Sequence, residues 1–191
     1  MSQNFYKKLN SILTEDNILL EEPMKKHTTF RIGGPAKYYV MPQTKEQVKD
    51  IIECCKESDM PYYILGNGSN LLVSDKGYEG VVIQIFKNMN EILVEGNVIK
   101  AQAGALLSTV AARALDAGLT GFECLAGIPG TLGGACVMNA GAYGGEMKDV
   151  LEEVLVLTEE GEFLTLPKEE LELGLDNDSH VETVVLMSRV K

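Results

Sequence analysis

Five consecutive residues, Gly66-Asn67-Gly68-Ser69-Asn70, contain no acid in a chain whose 28 Asp plus Glu outnumber 17 Lys plus Arg, for a formal net charge of -11. Glycine admits unusual φ and, lacking Cβ, lets a ligand approach the backbone. The N–H groups of such a loop can therefore converge on an anion, and a pyrophosphate is a natural occupant. The overall charge opposes this, but N–H dipoles act at short range while salt screens the distant field. An ordinary turn with Asn and Gly at positive φ is the alternative. No third glycine and no helix follow, so the loop is not a dinucleotide fingerprint, and no Gly-Lys-Ser/Thr makes it a P-loop.

A second segment, Gly127-Ile128-Pro129-Gly130-Thr131-Leu132-Gly133-Gly134-Ala135, holds four glycines and a proline without a charge. Core periodicity does not produce this pattern. Either small side chains leave room for a planar ring whose edge the backbone reads, or a helix packs tightly on a sheet. Asn139-Ala140-Gly141-Ala142-Tyr143-Gly144 repeats the character. Glycine overall, 19 of 191, is about 10% against roughly 7% on average.

Side-chain catalysis has less to offer. Glu123 is a lone carboxylate, and Ser69 lacks a nucleophile-elbow context. His27 and His180 have no visible triad or metal partner, so His27 reads as a structural or cap residue. Cys54, Cys55, Cys124 and Cys136 form no C-x-x-C and read as core fillers. No catalytic side chain and no metal ligand is assigned, which leaves the chemistry to a bound cofactor.

The elements that must carry these loops follow from periodicity. Phe5, Leu9, Ile12 and Leu13 fall at helical spacing, and Thr28 to Val40 reads as strand, turn and strand around Gly33-Gly34-Pro35. Thr44 and Gln47 open a capping box for a helix whose inward stripe is Val48, Ile51, Ile52 and Cys55. With Tyr62 to Leu65 as a strand, Lys37 to Leu65 becomes a parallel βαβ crossover. Strands at Leu71–Val73, Val81–Ile85, Glu91–Val94 and Val98–Gln102 follow, the last two joined by a Gly96-Asn97 hairpin, which favours antiparallel pairing from there on. A helix over Leu107 to Leu115 ends at Gly118, a second hairpin turns at Glu160-Gly161, and Thr183 to Val190 is a final β run.

Length and 45% hydrophobic residues allow one domain or two small interlocking ones, divided near Gly77 to Gly80. Without a basic face, nucleic acid and anionic membrane are poor partners. The charge-free stretch Cys124 to Gly145 is broken by Pro129 and seven glycines, which excludes a spanning helix. Met1 to Asn10 is polar with no apolar run behind Lys7 and Lys8, so the expectation is no secretory signal and a cytoplasmic protein.

Four ordered blocks carry a resemblance: His27-Thr28-Thr29-Phe30-Arg31-Ile32-Gly33-Gly34-Pro35-Ala36, Leu65 to Asp75, Gly127 to Ala135 and Asn139 to Gly144. Together, over Lys26 to Leu166, they resemble the UDP-N-acetylenolpyruvoylglucosamine reductases, also called UDP-N-acetylmuramate dehydrogenases, flavoenzymes of peptidoglycan precursor synthesis. The resemblance implies an α+β, two-lobed FAD-binding fold of the vanillyl-alcohol-oxidase type. Residues 1–78 would form an N-terminal helix and small βαβ lobe, and 79–191 a larger, mainly antiparallel lobe with helices. It further implies that Gly66, Asn67, Gly68, Ser69 and Asn70 hold the FAD pyrophosphate, with Leu71 counted among the cofactor-binding residues. Ile128, Pro129, Gly130, Gly133, Gly134, Ala135 and Ala142 would line the flavin and its ribityl chain, and Tyr143 would sit near the ring or the substrate.

In that family NADPH reduces the flavin, which then reduces the enolpyruvyl double bond of a UDP-sugar. A serine proton donor and a glutamate lie in a third, substrate-binding domain, which is expected to be absent here, leaving a face for self-association. The family's Tyr-Arg pair after a glycine is replaced by Gly174-Leu175-Asp176-Asn177-Asp178-Ser179. An Asp there repels a substrate carboxylate, so the alternative reading is a non-catalytic flavin-binding module.

Overall fold

The computed structural model describes residues 2–171 and, as backbone, 184–190. The chain divides into two compact units, Met1–Asn88 and Met89–Lys191.

The first unit contains α1 (Ser2–Ile12), β1 (Ile18–Pro23), β2 (Pro35–Val40), α2 (Lys45–Glu57), β3 (Tyr62–Leu65) and β4 (Tyr78–Gln84). Helix α2 starts where the sequence says it must: the Thr44 hydroxyl accepts from Gln47 N at 3.2 Å, and Gln47 Oε1 returns the favour to Gln43 N at 2.8 Å. Its stripe Val48, Ile51, Ile52 and Cys55 is buried as the periodicity requires. Phe5 of α1 meets Tyr38 of β2 edge to face, with ring centroids 5.1 Å apart.

The sheet order is β1-β2-β4-β3, with β1 antiparallel to β2 and β4 parallel to both β2 and β3. This corrects the sequence reading in three places and adds to it in a fourth. Residues 28–34 are not a strand; the strand ahead of β2 is β1, hidden in the sequence because Ile18-Leu19-Leu20-Glu21-Glu22 does not alternate and Glu21 takes φ +50°. The crossover from β2 to β3 is parallel but skips a position, since β4 inserts between them. Residues 71–73 form no strand. The boundary expected after residue 78 falls on the first residue of β4, whose Gly80–Gln84 run is buried as an interior parallel strand demands, so the first unit keeps β4 and runs to Asn88.

Consequently β3 and β4 are joined by residues 66–77 with no helix. Parallel neighbours usually need a helical crossover, so this one leaves an irregular chain at the carboxyl end of β3, where open α/β sheets place their ligands.

The second unit contains β5 (Ile92–Glu95), β6 (Val98–Gln102), α3 (Leu107–Asp116), α4 (Leu132–Val137), β7 (Gly141–Ala142), β8 (Gly145–Glu146), α5 (Met147–Val150), β9 (Leu151–Leu157), β10 (Phe163–Pro167) and β11 (Val184–Val190). Its main sheet, β10-β9-β11-β6-β5, is antiparallel at every pairing. Gly96 turns the β5–β6 hairpin at φ +63°, and Gly118 ends α3 at φ +69°. Leu107, Val110, Leu125, Leu132, Met147, Leu151, Val154 and Val156 make one buried cluster between the sheet and its helices.

Candidate cofactor site

The loop that leaves β3 is held from outside itself. Thr29 N donates to Gly68 O at 3.0 Å. Gly68 sits at φ +65°, and a Cβ there would stand 1.9 Å from the His27 carbonyl oxygen, so only glycine fits. Leu71 and Val73 pack on the buried cluster of Met24, Ala36, Tyr39, Leu65 and Val82, which pins the loop's far end. Asn67 and Asn70 are engaged within the protein.

By contrast, the backbone N–H groups of Gly66, Gly68 and Ser69, and the Ser69 hydroxyl, have no acceptor among the described residues. Gly68 is buried and Gly66 and Ser69 half-buried, with no carboxylate between residues 66 and 74. Unspent donors free of like charge fit the dianionic diphosphate of a dinucleotide.

Beneath this loop lies a polar chain that sequence reading missed. His27 Nε2 is 3.0 Å from Glu22 Oε1, and His27 Nδ1 is 3.0 Å from the Tyr39 hydroxyl. The rings of His27 and Tyr39 stack with centroids 4.1 Å apart. The Glu22 carboxylate only accepts, so Nε2 carries a proton, and in the Nε2–H tautomer Nδ1 accepts from the Tyr39 hydroxyl. Burial alone would raise the Glu22 carboxyl, but hydrogen bonds from His27 and Lys26 outweigh it and hold the group below its ordinary range. Burial first, and the Glu22 charge second, push the Tyr39 phenol above its ordinary value. The three residues come from β1, the turn after it and β2, and no short-range spacing announces them.

The second glycine-rich segment spends most of its donors internally. Ile128 N donates to Leu125 O, Gly130 N to Ile128 O, Leu132 N to Ala105 O and Gly133 N to Ala103 O, and Gly130 O accepts from Leu107 N. Thr131 caps α4, its hydroxyl accepting from Gly134 N at 3.4 Å and its carbonyl from Ala135 N at 2.9 Å. Gly133 and Ala135 are buried; a Cβ on Gly133 would lie 2.7 Å from Ala103 Cβ. Tight packing thus accounts for Gly133.

It does not account for Gly127 or Gly134. Gly127 has open space around a would-be Cβ, and Gly134 would meet only Thr131 Oγ1 at 3.4 Å; neither has positive φ. Both are exposed. Glycine costs stability where the fold does not need it, about 1 kcal/mol inside a helix, and packing within the protein gives no reason for glycine at either position. Ile128 and Gly130 are half-buried beside them, and Pro129 is exposed.

The third block builds a rigid hairpin. β7 and β8 are linked by Tyr143 at φ +55° and Gly144 at φ +85°, a two-residue turn with both central residues left-handed. Its base is clamped: Asn139 Nδ2 donates to Glu146 Oε2 at 2.9 Å, Lys148 N to Asn139 Oδ1 at 3.0 Å, and Glu146 N to Asp149 Oδ2 at 2.8 Å. Hydrogen bonds from Lys148 first, then Asn139, hold the Glu146 carboxyl below its ordinary range. Ala142 is half-buried, and Tyr143 at the tip is 99% exposed.

Other candidates have local duties. Glu123 Oε2 accepts from Gly121 N at 2.7 Å. Cys54, Cys55 and Cys136 are buried free thiols, and burial pushes Cys55 up to about 12, far from a reactive thiolate. Among the described residues no three His, Cys, Asp or Glu could hold a metal ion, and no helix is long and apolar enough to cross a membrane. The run Gly174 to Ser179 lies outside the described residues.

Comparison with known proteins adds to this geometry. A family described as FAD binding domain matches residues 36–167. The UDP-N-acetylenolpyruvoylglucosamine reductase of Alkaliphilus metalliredigens is 54% identical over 171 residues, 90% of this chain and 56% of the relative. The crystal structure of UDP-N-acetylenolpyruvylglucosamine reductase from Thermus caldophilus superposes with TM-score 0.74 at 38% identity, covering 91% of this chain and 60% of that one. Alkyldihydroxyacetonephosphate synthase, at 18% identity and TM-score 0.73 over 99% of this chain and 40% of that one, shares the fold, that of the vanillyl-alcohol-oxidase-type FAD-binding proteins. The chain spans a little over half the length of the curated relatives it matches.

Proposed function

The chain belongs to the FAD binding domain family, and on that premise we propose that it is the FAD-binding part of a UDP-N-acetylenolpyruvoylglucosamine reductase of peptidoglycan precursor synthesis, acting in the cytoplasm. The observation that carries this reading is the loop after β3, whose three backbone donors and one hydroxyl have no acceptor among the described residues.

In this reading Gly66, Gly68 and Ser69 donate to the FAD diphosphate, with Asn67, Asn70 and Leu71 framing the loop. Ile128, Pro129, Gly130, Gly134 and Ala142 border the flavin and its ribityl chain. Gly133 and Ala135 set the backbone on which that border rests. Tyr143 is held outward, toward the ring or the substrate. When bound, FAD supplies the hydride chemistry: acceptance from NADPH and delivery to the enolpyruvyl double bond of the UDP-sugar, giving UDP-N-acetylmuramate. The protein residues exclude charge from the diphosphate loop and keep bare backbone beside the ring.

An absorption spectrum of the purified chain, before and after FAD and then with NADPH under anaerobic conditions, tests the proposal. Flavin bands that bleach with NADPH are the expected result. Bands that persist would favour the non-catalytic module suggested by the Gly174 to Ser179 run, and a colourless protein indifferent to FAD would overturn both readings.

A further inference from the structure

We infer that His27 is a positioning residue for the diphosphate-binding loop, held in register by Glu22 and Tyr39. The inference rests on the assignment of residues 66–70 to the FAD diphosphate and states what keeps that loop in its binding shape.

Residues 66–77 cross between parallel strands with no helix, so contacts from elsewhere must set the loop's form. Two such contacts fix Gly68, and both come from residues 27–29: the Thr29 N–H on the Gly68 carbonyl, and the His27 carbonyl against the face where a Cβ would be. Moving His27 therefore moves the carbonyl that Gly68 packs on, between the Gly66 and Ser69 donors.

The segment is closed on itself by His27 N to Met24 O at 2.8 Å, Arg31 N to Thr28 O at 3.1 Å and Thr28 Oγ1 to Ile32 O at 3.1 Å. Its side-chain ties to the sheet are Lys26, whose ammonium donates to Glu22 at 3.2 Å, and the His27 ring, which reaches both β1 and β2. Both ring nitrogens are used, one on β1 through Glu22 and one on β2 through Tyr39, so the ring cannot turn without losing a bond. Tyr39 is fully buried, beside Met24, Ala36, Leu65 and Val82. A hydroxyl left unpaired there is costly, and a fully satisfied chain selects one arrangement.

Four single variants of the full chain separate this role from general stability. Tyr39→Phe keeps the ring stack and removes only the donor to Nδ1. Glu22→Leu removes the acceptor of Nε2–H, and Glu22→Gln restores an acceptor. Ser69→Asp adds a charge to the loop and touches none of the three. FAD affinity is read by flavin fluorescence, and loop geometry by the amide resonances of Gly66, Gly68 and Ser69.

Tyr39→Phe and Glu22→Leu are expected to weaken FAD about tenfold, the equivalent of one lost hydrogen bond, and to shift the three loop amides while those of α2 stay in place. Glu22→Gln is expected to return most of the affinity. Parent-like FAD affinity and loop amides in Tyr39→Phe, with binding lost in Ser69→Asp, would overturn the positioning role and leave the loop assignment standing. Parent-like affinity in Ser69→Asp would remove the loop assignment, and this inference with it. If Glu22→Leu does not fold, Tyr39→Phe decides alone by the same two readings.

Discussion

Gly68 lies so close to His27 that a Cβ on the glycine would stand 1.9 Å from the His27 carbonyl oxygen, and its φ is +65°. The obvious probe of the loop, a side chain at Gly68, therefore attacks the fold first. Gly68→Ala is expected to lower unfolding stability by about 2–4 kcal/mol, from left-handed strain plus a backbone clash that no rotamer relieves. Urea unfolding of the cofactor-free protein measures it, and a midpoint equal to the parent's would contradict the packing described. Ser69→Asp, with no such clash, is expected to stay within about 0.5 kcal/mol of the parent.

Gly133 and Ala103 form the equivalent pair in the second unit, with 2.7 Å between a would-be Cβ and the alanine methyl. Gly133→Ala is expected to cost about 1–3 kcal/mol by overpacking. Adding Ala103→Gly makes room for the new methyl, though it stays tight against the Ala103 carbonyl at 3.1 Å. The pair should therefore couple by about 1 kcal/mol in a double-mutant cycle, whereas strictly additive costs would show that α4 simply shifts away.

These two glycines show why the site was only partly legible in the sequence. Glycine enrichment marked both segments, but nothing local distinguishes a glycine required by packing, such as Gly133, from one the fold does not require, such as Gly127. That distinction belongs to Ala103, thirty positions away. Elements with strict periodicity or explicit caps, such as α2 with Thr44 and Gln47, were readable. Strand β1 was not, because two adjacent acids and the left-handed Glu21 mask its pattern. The insertion of β4 between β2 and β3 is a tertiary choice that spacing along the chain does not encode. His27 could be read only as structural, since its partners Glu22 and Tyr39 meet it across two strands.

Tyr143 occupies a left-handed position at which asparagine is at home and a tyrosine is strained. The strain persists because Asn139, Glu146 and Asp149 fix the hairpin base. Tyr143→Asn is expected to raise the melting temperature of the cofactor-free protein by about 2 °C. A variant that melts earlier than the parent would show that the tyrosine ring contributes packing its 99% exposure does not suggest.

Glu22 gives the first unit an acid-sensitive tie. Its side chain is 14% exposed, and the hydrogen bonds from His27 and Lys26 hold its carboxyl below the ordinary value of 4.5 against the opposing effect of burial. A folded-state value below the unfolded one means the native state binds the proton less readily. The carboxylate's contribution is therefore fully present above the unfolded value and is lost as pH falls through the folded one. Glu22→Gln removes that contribution, so parent and variant should differ most above the ordinary value of 4.5 and converge as pH falls below it. Urea midpoints taken at half-unit intervals across that window would follow the convergence. A difference that stays constant with pH would mean the carboxylate is not perturbed on folding, and that its bonds to His27 and Lys26 do not favour the charged form.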